Sequence, residues 1–267
     1  IGSGVAGGLH AYFAKYGLKP GIPVAVWTGD NPASLIGTGC WRAGCAVVSL
    51  GTSDTFFAAL DTFRTDPDGC GHVFGNPAGG FMSLTCFKNG SLARDRVRHE
   101  ADVSWDFFDN TAFALTSPGN DGRLALPWFV PEITPPVMSP GLRANFPFAE
   151  AAPEVRIRAV VEAQALALRN HAEWIGRFDV LRVTGGASRS AGIRQTLADV
   201  FQARVESSAV ADSAALGGAL LAAHADGVPL AETTERFCLV TDVCQPRPAT
   251  AAVYDRLLPA LRELEQV

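Results

Sequence analysis

FDVLRVTGGASRSAGIRQTLADVF, residues 178–201, is the stretch on which the fold turns. Phe178 to Val183 reads as a strand, Thr184-Gly185-Gly186 turns the chain, and Gly192 to Phe201 carries apolar residues at helical spacing. Val205 to Ser208 then predicts a second strand. Asp212 to Ala225 predicts a second helix, with Asp212 or Ser213 as its cap. Upstream, Glu154 to Trp174 reads as a long helix, because Val155, Ile157, Val160, Val161, Ala165, Leu166, Leu168 and Trp174 approximate one stripe. Ala251 to Gln266 is a closing helix with a kink expected at Pro259. Strands alternating with helices predict an α/β domain.

Toward the amino terminus the clearest element is a hairpin: strands Cys45–Leu50 and Asp54–Leu60 around Gly51-Thr52-Ser53. Residues 61–80, rich in Asp, Gly and Pro, read as a loop, and Phe81–Phe87 as a strand followed by Asn89-Gly90 and a helix to about Glu100. Residues 117–149, with seven prolines from Pro118 to Pro147, read as a long surface excursion. Val5 to Tyr16 predicts a short helix with Leu9, Tyr12, Phe13 and Tyr16 on one face, stopped by Gly17 and Pro20-Gly21. Val24–Trp27 is an apolar run ending in the turn Gly29-Asp30-Asn31-Pro32, and Ala33–Gly39 a helix.

Of 267 residues, 48% are hydrophobic and 18% charged, with a net charge of −5. That predicts a sizeable core and little disorder. No block of basic residues suits a nucleic acid, and no apolar run reaches the length of a membrane span. Cys40, Cys45, Cys70, Cys86, Cys238 and Cys244 form no Cys-x-x-Cys pair or zinc pattern with the five histidines. They are expected to be reduced, mostly buried thiols of a cytoplasmic protein, and no dedicated metal ligand is evident. The chain opens at Ile1-Gly2-Ser3-Gly4, without Met and without a signal-peptide pattern, as a fragment would.

Three glycine-centred bends follow strands, where open α/β sheets bind ligands. Asp30, after the run ending at Trp27, could accept a proton from a hydroxyl nucleophile. Gly51-Thr52-Ser53 offers N–H groups and two hydroxyls to a phosphate, without the lysine of a P-loop. Gly185-Gly186-Ala187 lets a flat ligand approach the backbone ahead of a helix N-terminus. Each bend has a plainer reading: an Asp-Asn turn, a hairpin, a strand-to-helix turn. Gly217-Gly218 suits close helix packing. A nicotinamide-dependent reductase is disfavoured, because Thr184-Gly185-Gly186 lies far from the chain start and Tyr254 lacks a Lys four residues on.

Taken in order, the motifs resemble one family. Trp27-Thr28-Gly29-Asp30-Asn31-Pro32-Ala33-Ser34, Val48-Ser49-Leu50-Gly51-Thr52-Ser53-Asp54-Thr55, Cys86-Phe87-Lys88-Asn89-Gly90-Ser91-Leu92 and Thr184-Gly185-Gly186-Ala187-Ser188 with Leu197-Ala198-Asp199-Val200-Phe201 resemble FGGY carbohydrate kinases, the xylulokinase branch above all. The resemblance runs from about residue 5 to about residue 225. It implies an actin-like, ribonuclease-H-like carboxy-terminal domain, a mixed sheet flanked by helices. It implies ATP and Mg2+ as cofactors and Asp30 as the base that deprotonates a sugar hydroxyl, the 5-hydroxyl of D-xylulose. Asn31 would hold the sugar, Gly51, Thr52 and Ser53 the phosphates, and Gly185, Gly186 and Ala187 the adenosine, with Gly217 near the nucleotide.

The family's first phosphate loop, with its Asp-x-Gly-Thr pattern, has no counterpart here, and Arg189-Ser190 stands where relatives often carry Asn. Residues 1–44 are then the tail of the amino-terminal domain and the crossing between domains, and 45–267 the carboxy-terminal nucleotide-binding domain. The missing partner is the amino-terminal domain of the same enzyme. Without it the chain is expected to be inactive, and the apolar face left uncovered could pair two copies as a homodimer. Other sugars or polyols of the family (ribulose, gluconate, glycerol) and a non-catalytic nucleotide-binding module are the alternatives.

Overall fold

The structure is a computed structural model that describes residues 4–210 and 212–266; Ile1–Ser3 at the chain's opening, Ala211 and Val267 lie outside the described residues. In chain order it contains β1 (Val5–Gly8), β2 (Pro23–Ala25), α1 (Asp30–Gly37), β3 (Cys45–Leu50), β4 (Asp54–Leu60), β5 (His72–Gly75), β6 (Phe81–Phe87), α2 (Ser91–Glu100), α3 (Ala112–Leu115), β7 (Ala125–Trp128), β8 (Gly141–Ala144), α4 (Pro153–Ala172), β9 (Val180–Thr184), α5 (Ala191–Phe201), β10 (Arg204–Ser208), α6 (Ser213–Ala225), α7 (Leu230–Phe237), β11 (Val240–Cys244) and α8 (Ala251–Gln266). Seven strands form one mixed sheet in the order β11-β10-β9-β3-β4-β6-β5. The centre is parallel, β3 beside β9 beside β10, and both flanks are antiparallel. This is the α/β, actin-like and ribonuclease-H-like architecture, helices covering both faces.

Alternation along the strands sorts the core. Ala46, Val48, Leu50, Phe56, Ala58, Leu181, Val183 and Val205 face a large cluster with α4, α5 and α8, and Val47, Phe57, Ala59 and Met82 face Leu35 of α1. Phe56 and Phe57 are both fully buried on opposite faces, each contributing about 1.5–3 kcal/mol. The face carrying α1 continues through Ile36 to Leu220, Leu221, Leu230 and Cys238. At its closest point that face is backbone against backbone: a Cβ added to Gly217 would lie 1.8 Å from the Ala33 carbonyl oxygen.

Several sequence expectations are corrected. Val5–Tyr16 is not one helix. Val5–Gly8 pairs antiparallel with Pro23–Ala25, and only Ala11–Tyr16 coils, as an exposed 3-10 turn capped by the His10 ring. A run with two glycines and no buried residue has little to hold it helical, whereas backbone pairing satisfies its N–H and C=O groups. Residues 61–80 include β5, an edge strand on β6. The proline-rich stretch is not a surface excursion. Leu124, Ala125, Leu126 and Trp128 are at most 3% exposed, because strand β7 lies on α4 and pairs with β8. The expected helix at Ala33 begins three residues earlier, at Asp30. The cysteines also differ from expectation. Cys40 and Cys45 are joined as a disulfide across the bend between α1 and β3, with Cα atoms 5.1 Å apart, and Cys238 is the one fully buried free thiol among the described residues.

Candidate functional site

Parallel register creates the site. Ser49 lies opposite Thr184, so β3 and β9 end together and their bends, Gly51-Thr52-Ser53 and Gly185-Gly186-Ala187, stand side by side at one edge of the sheet. Gly185 has φ +87°, and a Cβ there would lie 2.5 Å from the Leu50 carbonyl oxygen. Only glycine meets both the left-handed backbone and that approach. Thr52 is exposed, Gly51 and Ser53 half-buried.

After Gly185 the chain makes a 3-10 turn, Gly186–Arg189, before α5. The Ser188 hydroxyl donates to the Gly185 carbonyl (2.7 Å), and Ser190 caps α5 by accepting from the Ile193 N–H. Arg194 donates to the Ser188 and Arg189 carbonyls, 2.8 Å each, and pairs with Asp242 on β11. The turn is thereby tied to the strand at the sheet's end. A pocket of about 450 Å³ opens there, lined by the Thr184–Gly186 bend, Arg189, the end of β10 at Ser207 and Ser208, and Asp242. Its walls combine main chain, hydroxyls and one ion pair with the apolar residues Val183, Ala209 and Val210, which suits a flat ligand carrying a phosphate tail.

Asp30 is the first residue of α1 and is exposed. An acidic residue is favourable in that position, at the positive end of the helix dipole. Its Oδ1 accepts from the Asn31 N–H (2.8 Å) and from the Asn31 side-chain amide (3.1 Å). Among the described hydrogen bonds, none links Asp30 to either glycine bend. Gly217 is not among the residues lining the pocket. It is buried in the crossing of α1 and α6, against the Ala33 carbonyl. Its place is to let α6 approach the helix that carries Asp30. The structure thus brings Gly51–Ser53 and Gly185–Ala187 together, sets Asp30 and Asn31 on α1, and puts Gly217 beneath that helix.

Sequence reasoning did not find the polar side chains behind the hairpin tip. Asp54 follows the tip and is paired with Arg94 of α2; both side chains are 3% exposed. Glu132, also buried, accepts from the Lys88 and Asn89 N–H groups. Arg94 and Asp54 lie forty residues apart, and Glu132 sits in the stretch read as surface, so no local pattern connects them. The Lys88-Asn89-Gly90-Ser91 spelling was the one available signal.

Comparison with known proteins decides the kinship. Residues 46–225 match the carboxy-terminal domain of the FGGY family of carbohydrate kinases.

The chain belongs to the FGGY family of carbohydrate kinases.

Xylulose kinase of Rattus norvegicus is 41% identical over 277 residues, covering 98% of this chain and 51% of that protein. The ligand-bound xylulose kinase of Lactobacillus acidophilus superimposes with a TM-score of 0.86 at 21% identity, over 96% of this chain and 54% of that one. Gluconate kinase from the same organism has a TM-score of 0.84 at 22% identity, over 96% and 54%. The FGGY chain described here therefore spans about half the length of the relatives it matches. The structural likeness shows the fold; two kinases whose names carry different sugars share it equally, so it does not choose between them. Among the described residues no helix is long and apolar enough to cross a membrane.

Proposed function

We propose that this chain is the nucleotide-binding half of an ATP-dependent ketopentose kinase that converts D-xylulose to D-xylulose 5-phosphate in the cytoplasm. The observation that carries the reading is the shared end of β3 and β9, which sets a hydroxyl-bearing hairpin tip beside a glycine bend; the bend lines the pocket, and the tip stands next to it without lining it. Gly51, Thr52 and Ser53 take the phosphates, and Gly185, Gly186 and Ala187 take the adenosine. The 41% identity to a xylulose kinase over nearly the whole chain supports the choice of sugar.

Asp30 is the general base. Asn31 holds its Oδ1, so Oδ2 is left for the sugar hydroxyl. As the hydroxyl oxygen forms its bond to the γ-phosphorus, the proton passes to Asp30, the bond to the β,γ-bridging oxygen breaks, and ADP leaves. Transfer of this kind depends on positioning and on donors aimed at the developing charge. The hairpin tip supplies such donors. Magnesium would accompany the triphosphate. Such an ion takes most of its oxygens from phosphates and water, with one or two carboxylates, and no step is assigned to it. The relatives are about twice as long. We place residues 1–44 as the tail and crossing of an amino-terminal domain that closes over the sugar, and 45–267 as the nucleotide-binding domain.

In the enzyme that joins this chain to such a domain, Asp30→Ala lowers kcat by about 10²–10⁴-fold and leaves ATP binding in place. Steady-state kinetics with D-xylulose, D-ribulose, gluconate and glycerol measure both the base and the sugar. A near-normal kcat puts the base elsewhere, and preference for another member of the panel removes D-xylulose.

A further inference from the structure

A chain of buried polar groups runs from the core to the hairpin tip, and the reaction described above makes no use of it. Asp54 is the first residue of β4, directly after the tip. Arg94 of α2 meets it with both ends of its guanidinium: Nη1 donates to Oδ2 at 2.7 Å and Nη2 to Oδ1 at 3.0 Å. Arg94 Nη1 also donates to Gln164 Oε1 of α4 (3.1 Å), and Gln164 Nε2 donates to the Asn89 carbonyl (2.7 Å). The Asn89 amide in turn exchanges bonds with the Val130 backbone and donates to Glu132 Oε2 at 2.9 Å. The loop Lys88–Gly90 is therefore fixed from α4 on one side and from residues 130–132 on the other.

That loop abuts the tip. A Cβ on Gly90 would lie 2.8 Å from Asp54 Oδ1, from the Gly51 carbonyl oxygen and from the Thr52 carbonyl oxygen. The Ser91 N–H donates to the Gly51 carbonyl at 2.8 Å. Two carbonyls of the three-residue bend thus have their places set from below, and the peptide planes that carry the tip's N–H groups are set with them.

A buried ion pair is a poor device for stability alone, since apolar residues of similar volume often do as well or better. A planar fork on a carboxylate does fix orientation. We infer that Asp54 and Arg94, backed by Gln164 and seated on Gly90, are positioning residues that hold the Gly51–Ser53 N–H groups converged on the nucleotide's phosphates. The inference rests on the reading of this tip as the phosphate loop.

Equilibrium titration of the chain with magnesium-ATP and, separately, with adenosine tests it, alongside the melting temperature of each variant. Arg94→Lys keeps the charge and loses the fork. Gly90→Ala keeps both partners of the ion pair and presses on the two tip carbonyls and on Asp54 Oδ1 together, and it carries the same test where the arginine variant does not fold. Each should weaken ATP binding by roughly tenfold, the loss of one charge-assisted bond, and leave adenosine affinity as in the wild type. ATP affinity unchanged in both folded variants overturns the inference. So does an equal loss for ATP and adenosine, which marks a merely structural role. Wild-type chain that binds ATP no more tightly than adenosine takes away the phosphate-loop reading itself, a result distinct from the other two.

Discussion

The two faces of the seven-stranded sheet are held by different means. On the face of α4, α5 and α8 long side chains interlock, and charges are buried among them. Arg158 pairs with Glu162 at 3.0 Å, and Glu162 Oε1 also accepts from the Gly119 N–H and the Tyr254 hydroxyl, 2.9 Å each. Burial pushes the Glu162 carboxyl up while Arg158 pulls it down, and burial beside that carboxyl pushes the Tyr254 hydroxyl far up. On the face of α1, α6 and α7 the central contact is main chain on main chain, through Gly37 and Gly217. The hairpin tip is braced by side chains of the first face, whereas Asp30 rides on a helix seated by glycines of the second. Precision on one face comes from directional bonds, on the other from the lack of a Cβ.

The largest test of that contrast is Glu162→Ala. It strands Arg158, 3% exposed, without a counter-charge, and the expected loss is about 3–5 kcal/mol by urea unfolding at unchanged m-value. A loss near that of an ordinary surface change would mean the first face does not depend on its buried charges. Gly217→Ala comes next. With 1.8 Å to the Ala33 oxygen the helices must part, and overpacking of this kind costs about 1–3 kcal/mol, read as a lowered melting temperature. An unchanged melting temperature would show that α6 yields freely, and the second face would not be close-packed in the sense described.

The smallest effect is expected at Asp109. It lines a pocket on the first face with Arg158 and Arg247. Burial raises its carboxyl above the usual range, with the Ser190 hydroxyl pulling the other way. A raised folded-state value means the folded protein holds the proton more tightly than the unfolded chain. Stability from this group is therefore present below the ordinary Asp value of about 3.9 and is lost as pH rises through the raised one. Asp109→Asn should slightly raise the melting temperature at pH 7 and have no such benefit below about pH 4; solvent screening keeps the gain small. A benefit larger in acid than at neutrality would reverse the sign.

Much of the architecture was legible because its strands carry their own signals. Cys45–Leu50 is mostly apolar on both faces, as strands between two helix layers are; Phe81–Phe87 and Phe178–Val183 are strand-length runs bounded by turns, the second observed as Val180–Thr184 with Arg182 and Thr184 on one face. Helices α4 and α8 were found near their true ends, and Asp212 does cap α6, accepting from the Ala215 N–H. Elements defined by what they pair with were not. His72–Gly75 and Val240–Cys244 are edge strands with mostly exposed side chains, and β11 supplies Thr241 and Asp242 to the pocket. Helix α7, Leu230–Phe237, is two turns long, with buried Thr233 and Thr234 in place of an apolar stripe. Of the site, the glycine bends were visible as turns, but their adjacency comes from the β3–β9 register, which no turn encodes.

By itself the sequence determined which segments are strands and helices at the centre of the sheet, where Asp30 and the glycine bends lie along the chain, and, through their order, the family. Those features are written in neighbouring residues, so local sterics and hydrophobic period suffice to read them. Only the tertiary structure decided that Arg94 closes on Asp54, that Glu132 is buried beneath the Asn89 loop, that Cys40 meets Cys45, and that the partner of Gly217 is the Ala33 backbone. Each is a meeting of atoms whose chemistry is complete only when distant segments arrive together, and the cost of burying an unpaired charge or crowding a Cβ arises only there.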